Sequence, residues 1–435
     1  MKKKILALVL IVALVASLAI ALTACDPKGD KNTLIFGPED ADITFGLICL
    51  HDENSTYDKN FIDAARVVAE NQQVRVIVKT NVPEDATCYE AAADLADQGC
   101  DIVFADSFGH EDHVIRAAKE FPNVQFAHAT GTKAHTENVA NYHNAFASIY
   151  EGRYLAGIVA GYKLAEMYGS GDGSAVSAEN AKIGYVGAYP YAEVVSGYTS
   201  FFLGVRSIVP NATMTVRYTN SWYDAEAEEN TAKKLITVDG CKLISQHADS
   251  MGAPDACKAL GIPNVTYNIS TKASCGDSYL VGSKINWAVY YAYLINCVRN
   301  NTEIAADWTG DIEGDSVQLL EYGNTVSEAA KAAVEEAKAA LKAGTLKVFD
   351  VDTFTITIDK TNSDPSKWKN GNAIATNMAE NGLTGSGKLV SYMADVNTDA
   401  AYTGDTQVVH DGYFAESEYR SAPYFDLRID GITEK

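Results

Sequence analysis

Where strand-like runs meet the helices that follow them, the chain sets aromatic rings beside carboxylates and amides. Tyr57, Asp58, Asn60 and Phe61 follow the first such run, and Ser107, Phe108 and Gly109 follow the third. A second series opens with Tyr189, Tyr191 and Glu193. Trp222, Tyr223 and Asp224 continue it, then His247, Asp249 and Ser250, then Asn268 and Ser270. Aromatic faces sandwich a planar, electron-poor ring, while Asp or Asn accepts hydrogen bonds from its N–H edge. No arginine cluster accompanies these residues. A neutral heterocycle with hydrogen-bond donors therefore suits the loops better than a phosphate or an acidic amino acid. The same stacking suits a sugar, and in a chain with 24 tyrosines any single ring can equally be packing.

Patterns for catalysis are weaker. Gly169-Ser-Gly-Asp-Gly173 precedes a strand and lacks the Lys-Ser/Thr ending of a phosphate loop, so it reads as a flexible connection. His110 and His113 bracket Glu111 and Asp112, but no second group of metal ligands accompanies them, and an exposed helix start is expected. Asp395, Asn397 and Asp399 imitate the opening of a calcium loop, yet Ala400 and Thr406 stand where Gly and a bidentate Glu belong. No catalytic residue, cofactor or metal is expected.

The elements carrying these loops alternate. Apolar runs at residues 43–50, 74–78, 101–105 and 124–127 are separated by amphipathic stretches at 58–70, 86–98 and 114–120. After a long helix over 148–167 the rhythm restarts, with strands at 182–186, 214–218, 242–245 and 264–267 and helices at 192–208, 226–238 and 253–260. This βαβα order specifies an α/β fold with parallel sheets covered on both faces. Two such units predict two Rossmann-like lobes with a ligand cleft at the carboxyl ends of their strands. The expected division is 42–146 for the first lobe, with a return segment at about 275–305 that includes a helix over 283–299. The second lobe is expected over 147–274 with part of 306–345, leaving 346–435 as a strand- and turn-rich C-terminal extension of open role.

Lys2, Lys3 and Lys4 precede an uncharged apolar run over 5–22, and Leu22-Thr-Ala-Cys25 closes it. A basic head, a short apolar core and small residues before a cysteine form a lipoprotein export signal over 1–25, with the lipid on Cys25. Residues 26–41, rich in Gly, Asp, Lys and Pro, read as a flexible tether. A formal net charge of −22 repels phosphate backbones, which excludes nucleic acid as a main partner. The cysteines beyond Cys25 are odd in number and show no CxxC spacing, as expected of small buried hydrophobes.

Several longer motifs stand in order between residues 43 and 324. They include Ala105-Asp-Ser-Phe-Gly109, Phe121-Pro-Asn-Val-Gln-Phe126 with Ala129-Thr-Gly131, and Tyr150-Glu-Gly-Arg-Tyr-Leu-Ala-Gly157. Lys182-Ile-Gly-Tyr-Val-Gly187, Asn220-Ser-Trp-Tyr-Asp224, Gln246-His-Ala-Asp-Ser250 and Asn286-Trp287 follow. In these the chain resembles the basic membrane protein (Bmp) family of ABC-transporter substrate-binding lipoproteins, which includes purine nucleoside receptors. The resemblance implies a type I periplasmic-binding-protein-like fold closing on a purine base or nucleoside. It favours an adenine-like base, because Asn268 stands where the nucleoside branch carries an Asp for the ribose. Carried over by position, Phe108 and Trp222 stack on the ring, Asp249 and Ser250 read its polar edge, and Asn286 and Trp287 close one side. Asp58 and Phe61 occupy plausible positions in the first loop, and Ser107, Tyr191, Glu193 and Asn268 complete the candidate ligand set. The implied partners are an ABC permease with its ATPase. The implied state is a monomer held by its lipid outside the cytoplasmic membrane. Riboflavin or a sugar is the alternative cargo, and an exported nucleoside-processing enzyme is the rival from another class.

Overall fold

The computed structural model describes residues 31–396 and 405–435. The export signal, Cys25, and Asn397 and Asp399 of the calcium-like motif lie outside the described residues. Two seven-stranded sheets dominate the rest. The first runs in the order Thr33–Phe36, Arg75–Lys79, Thr44–Ile48, Ile102–Ala105, Gln125–Ala129, Tyr142–Ala147 and Asp307–Gly310. From Arg75–Lys79 onward its neighbours pair in parallel. Its central strands are almost wholly buried, as parallel strands covered by helices on both faces must be.

The second sheet runs Val317–Leu319, Tyr279–Ile285, Asn264–Tyr267, Leu243–His247, Lys182–Gly187, Thr213–Tyr218 and Ile432–Glu434. Only Val317–Leu319 pairs antiparallel. The chain passes between the sheets three times. Tyr142–Ala147 leads into the helix Ile149–Tyr168, which packs on Ala192–Ile208 of the second lobe. Tyr279–Ile285 leads into Trp287–Asn300, which packs on Thr56–Gln72 of the first, and Asp307–Gly310 leads back to Val317–Leu319. Glycines let the helices Ile149–Tyr168 and Ala192–Ile208 approach closely. A Cβ on Gly157 would lie 2.2 Å from the Phe201 carbonyl oxygen, and one on Gly204 2.1 Å from that of Tyr154.

Three expectations need correction. Residues 26–41 are not all tether, because Thr33–Phe36 is the edge strand of the first sheet beside Arg75–Lys79. The segment 275–305 does not return to the first lobe as a whole, and its helix does not begin at 283: Tyr279–Ile285 is a strand of the second sheet, and the return begins with the helix Trp287–Asn300. The small residues Gly282 and Ser283 break the apolar run while still fitting a buried strand. The start of the helix Glu111–Glu120 is exposed only in part, since Asp112 faces solvent while His110 and Glu111 are buried. The His110 ring pairs with the Val82 carbonyl at 2.9 Å, and Glu111 accepts from the amides of Thr132 and Lys133 and from the Tyr142 hydroxyl.

The C-terminal segment joins the main body. Phe349, Phe354, Ile356, Phe414 and Phe425 enter the principal core, with Phe349 stacked on Phe425 at 4.2 Å. All seven cysteines of the described residues are buried and free. No helix among the described residues is long and apolar enough to cross a membrane.

Candidate functional site

Between the lobes lies a space of about 380 Å³, counted with its open mouth, lined by residues just beyond the carboxyl ends of strands. Leu50, His51, Tyr57 and Asp58 come from the loop after Thr44–Ile48 and the helix it enters. That helix, Thr56–Gln72, starts with a reciprocal cap: Ser55 Oγ accepts from the Asp58 amide at 3.2 Å and donates to the Asp58 carboxylate at 2.5 Å. The other Asp58 oxygen accepts from the His51 amide at 2.8 Å, so the carboxylate fixes the shape of its own loop.

Ser107 and Phe108 follow Ile102–Ala105. Glu84 orients this loop by accepting from Ser107 Oγ at 2.6 Å and from the Gly109 amide at 2.7 Å. Thr130 follows Gln125–Ala129. From the second lobe come Glu193 in the first turn of Ala192–Ile208, Trp222 beyond Thr213–Tyr218, and His247 and Asp249 at the end of Leu243–His247. The Asp249 amide donates to the Trp222 carbonyl at 2.9 Å, and Glu228 accepts from the Ser250 amide at 3.1 Å, so these two loops are mutually held.

No lysine or arginine lines the space, while Asp58, Glu193 and Asp249 do. Burial holds the Asp249 carboxyl well above the usual carboxylate range, and Glu228, Asp58 and Glu193 push the same way. That carboxyl has no hydrogen-bond partner among the described residues. Burial also works to raise Asp58, but the hydrogen bonds from His51 and Ser55 outweigh it and keep the group ionised. His247 is driven toward its neutral form by burial, against the opposing pull of Glu193 at 3.3 Å.

Beneath the space, one ligating atom each of Cys49, Asp58 and Asp106 lie within 4.8 Å of one another. Burial pushes both the Cys49 thiol and the Asp106 carboxyl up, so two of the three keep their protons and form a poor donor set for a cation.

Six of the expected ligand residues line the space: Asp58, Ser107, Phe108, Glu193, Trp222 and Asp249. Tyr191 stands at the mouth, stacked on Tyr189 at 5.1 Å and facing Phe108 at 5.6 Å across the cleft. Phe61 and Trp287 lie elsewhere. They stack on each other at 4.5 Å inside the first-lobe core, both against Phe104, and neither reaches the cleft. Ser250 is buried, its Oγ accepting from the Gly252 amide at 3.0 Å. Asn268 is buried in the left-handed conformation, φ 67°, with its amide donating to the Ser283 carbonyl at 2.9 Å. Asn286 sits at a lobe crossing and donates to the Asp315 carbonyl at 3.2 Å. Leu50, His51, Tyr57, Thr130 and His247 also line the space without having been assigned a ligand role. The rule that singled out the others, position at a strand's carboxyl end, reaches them too.

Comparison with known proteins agrees with this architecture. The sequence profile of the family described as Bmp, ABC transporter substrate-binding protein PnrA-like, matches residues 50–348. A purine-binding protein of Brucella abortus is 32% identical over 314 residues, covering 72% of this chain and 82% of that protein. A putative ABC transporter glucose-binding protein of Haloferax volcanii is 33% identical over 239 residues, 54% of this chain and 56% of that one. Among solved structures, an ABC transporter solute-binding protein of Conexibacter woesei superposes with a TM-score of 0.58 at 20% identity, covering 70% of this chain and 98% of its own. One from Aeropyrum pernix gives 0.59 at 15% identity, covering 71% and 93%. These likenesses establish the two-lobed periplasmic-binding-protein-like fold. The family comprises binding proteins, not enzymes, and this chain belongs to it: it is a member of the Bmp, PnrA-like family of ABC transporter substrate-binding proteins.

Proposed function

We propose that the protein captures a purine, as adenine or a close relative, in the interlobe cleft and hands it to an ABC permease and its ATPase. It acts outside the cytoplasmic membrane as a monomer tied by a lipid on Cys25. The observation that carries the ligand reading is the Asp249 carboxyl, buried beside Trp222 and without a hydrogen-bond partner among the described residues. Such a group is costly until something satisfies it. A purine amine donates to its carbonyl oxygen, while the adjacent ring nitrogen accepts from its O–H in the protonated form. Trp222 and Phe108 supply the faces between which the ring lies. The name of the Brucella relative points the same way.

The test is thermal unfolding with bases, nucleosides, flavins and sugars. A ligand at one hundred times its Kd stabilises the folded form by about 2.7 kcal/mol. Adenine is expected to raise the Tm, and no response to any purine overturns the reading. A sugar receptor is the second reading, favoured by the aromatic and carboxylate lining and by the name of the Haloferax relative. A response to glucose with none to adenine would select it.

A further inference from the structure

Three of the sequence motifs meet beneath the second-lobe side of the cleft. The motif over 150–157 contributes Arg153, that over 182–187 contributes Tyr185, and that over 246–250 contributes His247. Arg153 stands on the crossing helix Ile149–Tyr168 and is wholly buried. A guanidinium keeps its charge when buried, so it needs acceptors around it. No carboxylate among the described residues forms an ion pair with it. It donates instead to the Gln246 carbonyl at 3.0 Å, the Thr266 carbonyl at 3.4 Å, Ser245 Oγ at 3.4 Å and the Tyr185 hydroxyl oxygen. The rings of Tyr267 and Tyr185 lie 4.9 and 5.3 Å from its charge.

These contacts set a direction. A tyrosine hydroxyl has one proton to give. Because Arg153 already donates to the Tyr185 oxygen, that proton turns to His247 Nδ1, 3.5 Å away. The imidazole then carries its own proton on Nε2 and donates it to Glu193 Oε1 at 3.3 Å. Burial and the Arg153 charge both disfavour a second proton on His247, against the pull of Glu193. Tyr267 packs beside the ring at 4.6 Å, and Gly197 leaves it space, since a Cβ there would lie 2.8 Å from Nδ1. Glu193, at the end of this series, lines the ligand space.

We propose that Arg153 and Tyr185 are positioning residues for the cleft: they fix His247 with its proton on Nε2 and so hold Glu193 as an oriented acceptor toward the ligand. Neither lines the ligand space itself; both act through His247. The identity of the ligand that Glu193 meets rests on the purine reading above.

Nitrogen NMR of the full chain, labelled at histidine, tests the inference without ligand, the His247 signals being those lost in His247→Gln. The proton is expected on Nε2 in the parent and still there in Glu193→Gln. Adding Tyr185→Phe or Arg153→Gln to Glu193→Gln should let it exchange between the two nitrogens. Calorimetry supplies the second arm. Tyr185→Phe should weaken adenine binding about 3- to 10-fold in the parent and less than about 2-fold in Glu193→Gln, because both changes act on one contact. If Arg153→Gln does not fold, Tyr185→Phe keeps the ring and removes the same link. A proton on Nδ1 in the parent, its release by Glu193→Gln alone, or equal weakening by Tyr185→Phe in both backgrounds overturns the inference and leaves the purine reading intact. A parent that binds no adenine overturns the purine reading, and the nitrogen spectra then decide the inference by themselves.

Discussion

The backbone carbonyl of Asp249 accepts a hydrogen bond from the amide of Thr56 at 2.7 Å. The loop that carries the buried Asp249 carboxyl in one lobe is thereby joined to the first residue of a helix in the other. Thr56→Pro removes this donor at little cost to the helix, because proline suits the first helical position and Ser55 before it is already extended, φ −76° and ψ 131°. One lost hydrogen bond of about 0.5–1.5 kcal/mol corresponds to roughly 2- to 13-fold weaker ligand binding. Calorimetry checks the affinity, and the melting temperature of the empty protein should hardly move.

Trp222 and Trp287 should separate cleanly. Trp222→Ala is expected to weaken purine binding about 5- to 150-fold, the 1–3 kcal/mol of a stacked base. Trp287→Ala removes a ring stacked on Phe61 in the core and should cost about 3–5 kcal/mol of stability. Urea unfolding and ligand titration of both variants check the contrast. A Trp222→Ala protein that binds as tightly as the parent would remove that ring from the site.

Asp249 makes stability depend on pH. Its carboxyl keeps a proton in the folded chain that the unfolded chain releases at about pH 3.9. The folded state is therefore progressively disfavoured as pH rises from there until the raised pKa is passed. Asp249→Asn removes this loss, so it should match the parent near pH 3.5 and exceed it in stability at pH 7. Asparagine also keeps the acceptor-beside-donor edge of the protonated acid. Adenine affinity should be largely retained, whereas a base presenting two adjacent N–H groups should gain nothing from the change. Equal stability of variant and parent across the whole range would show that the carboxyl is not destabilising.

Gly157→Ala should cost about 1–3 kcal/mol, because its methyl would meet the Phe201 carbonyl oxygen at 2.2 Å where two helices touch. Chemical denaturation gives the value. Ligand affinity per folded molecule should be preserved.

Cys25→Ala should leave the protein unprocessed or shed into the medium. Fractionation of cells expressing each form checks the anchor, and a normally sized, membrane-held variant would exclude a lipid on Cys25.

Much of the fold could be read from residues because parallel strands covered on both faces are continuously apolar, as in Thr44–Ile48 and Ile102–Ala105. The strand Tyr142–Ala147 escaped that rule. Its His143 and Asn144 are buried yet polar, and His143 meets the Ala305 carbonyl and Gln125. The candidate site followed from loop position, but depth did not. Tyr57 and Phe61 stand on one face of the same helix with rings 4.8 Å apart, yet one lines the cleft and the other is sealed in the core. Phe61 is covered by Trp287 and Phe104, which come from distant parts of the chain.

The order in which the sheets are filled bears on synthesis. The first sheet waits for Asp307–Gly310, and the second gains its edge only with Ile432–Glu434. Neither lobe can finish while most of the chain is still emerging, and such long-range pairings form slowly. A nascent chain built this way leaves its first sheet without an edge until Asp307–Gly310 has been made and its second until Ile432–Glu434 has, so each lobe closes late in synthesis.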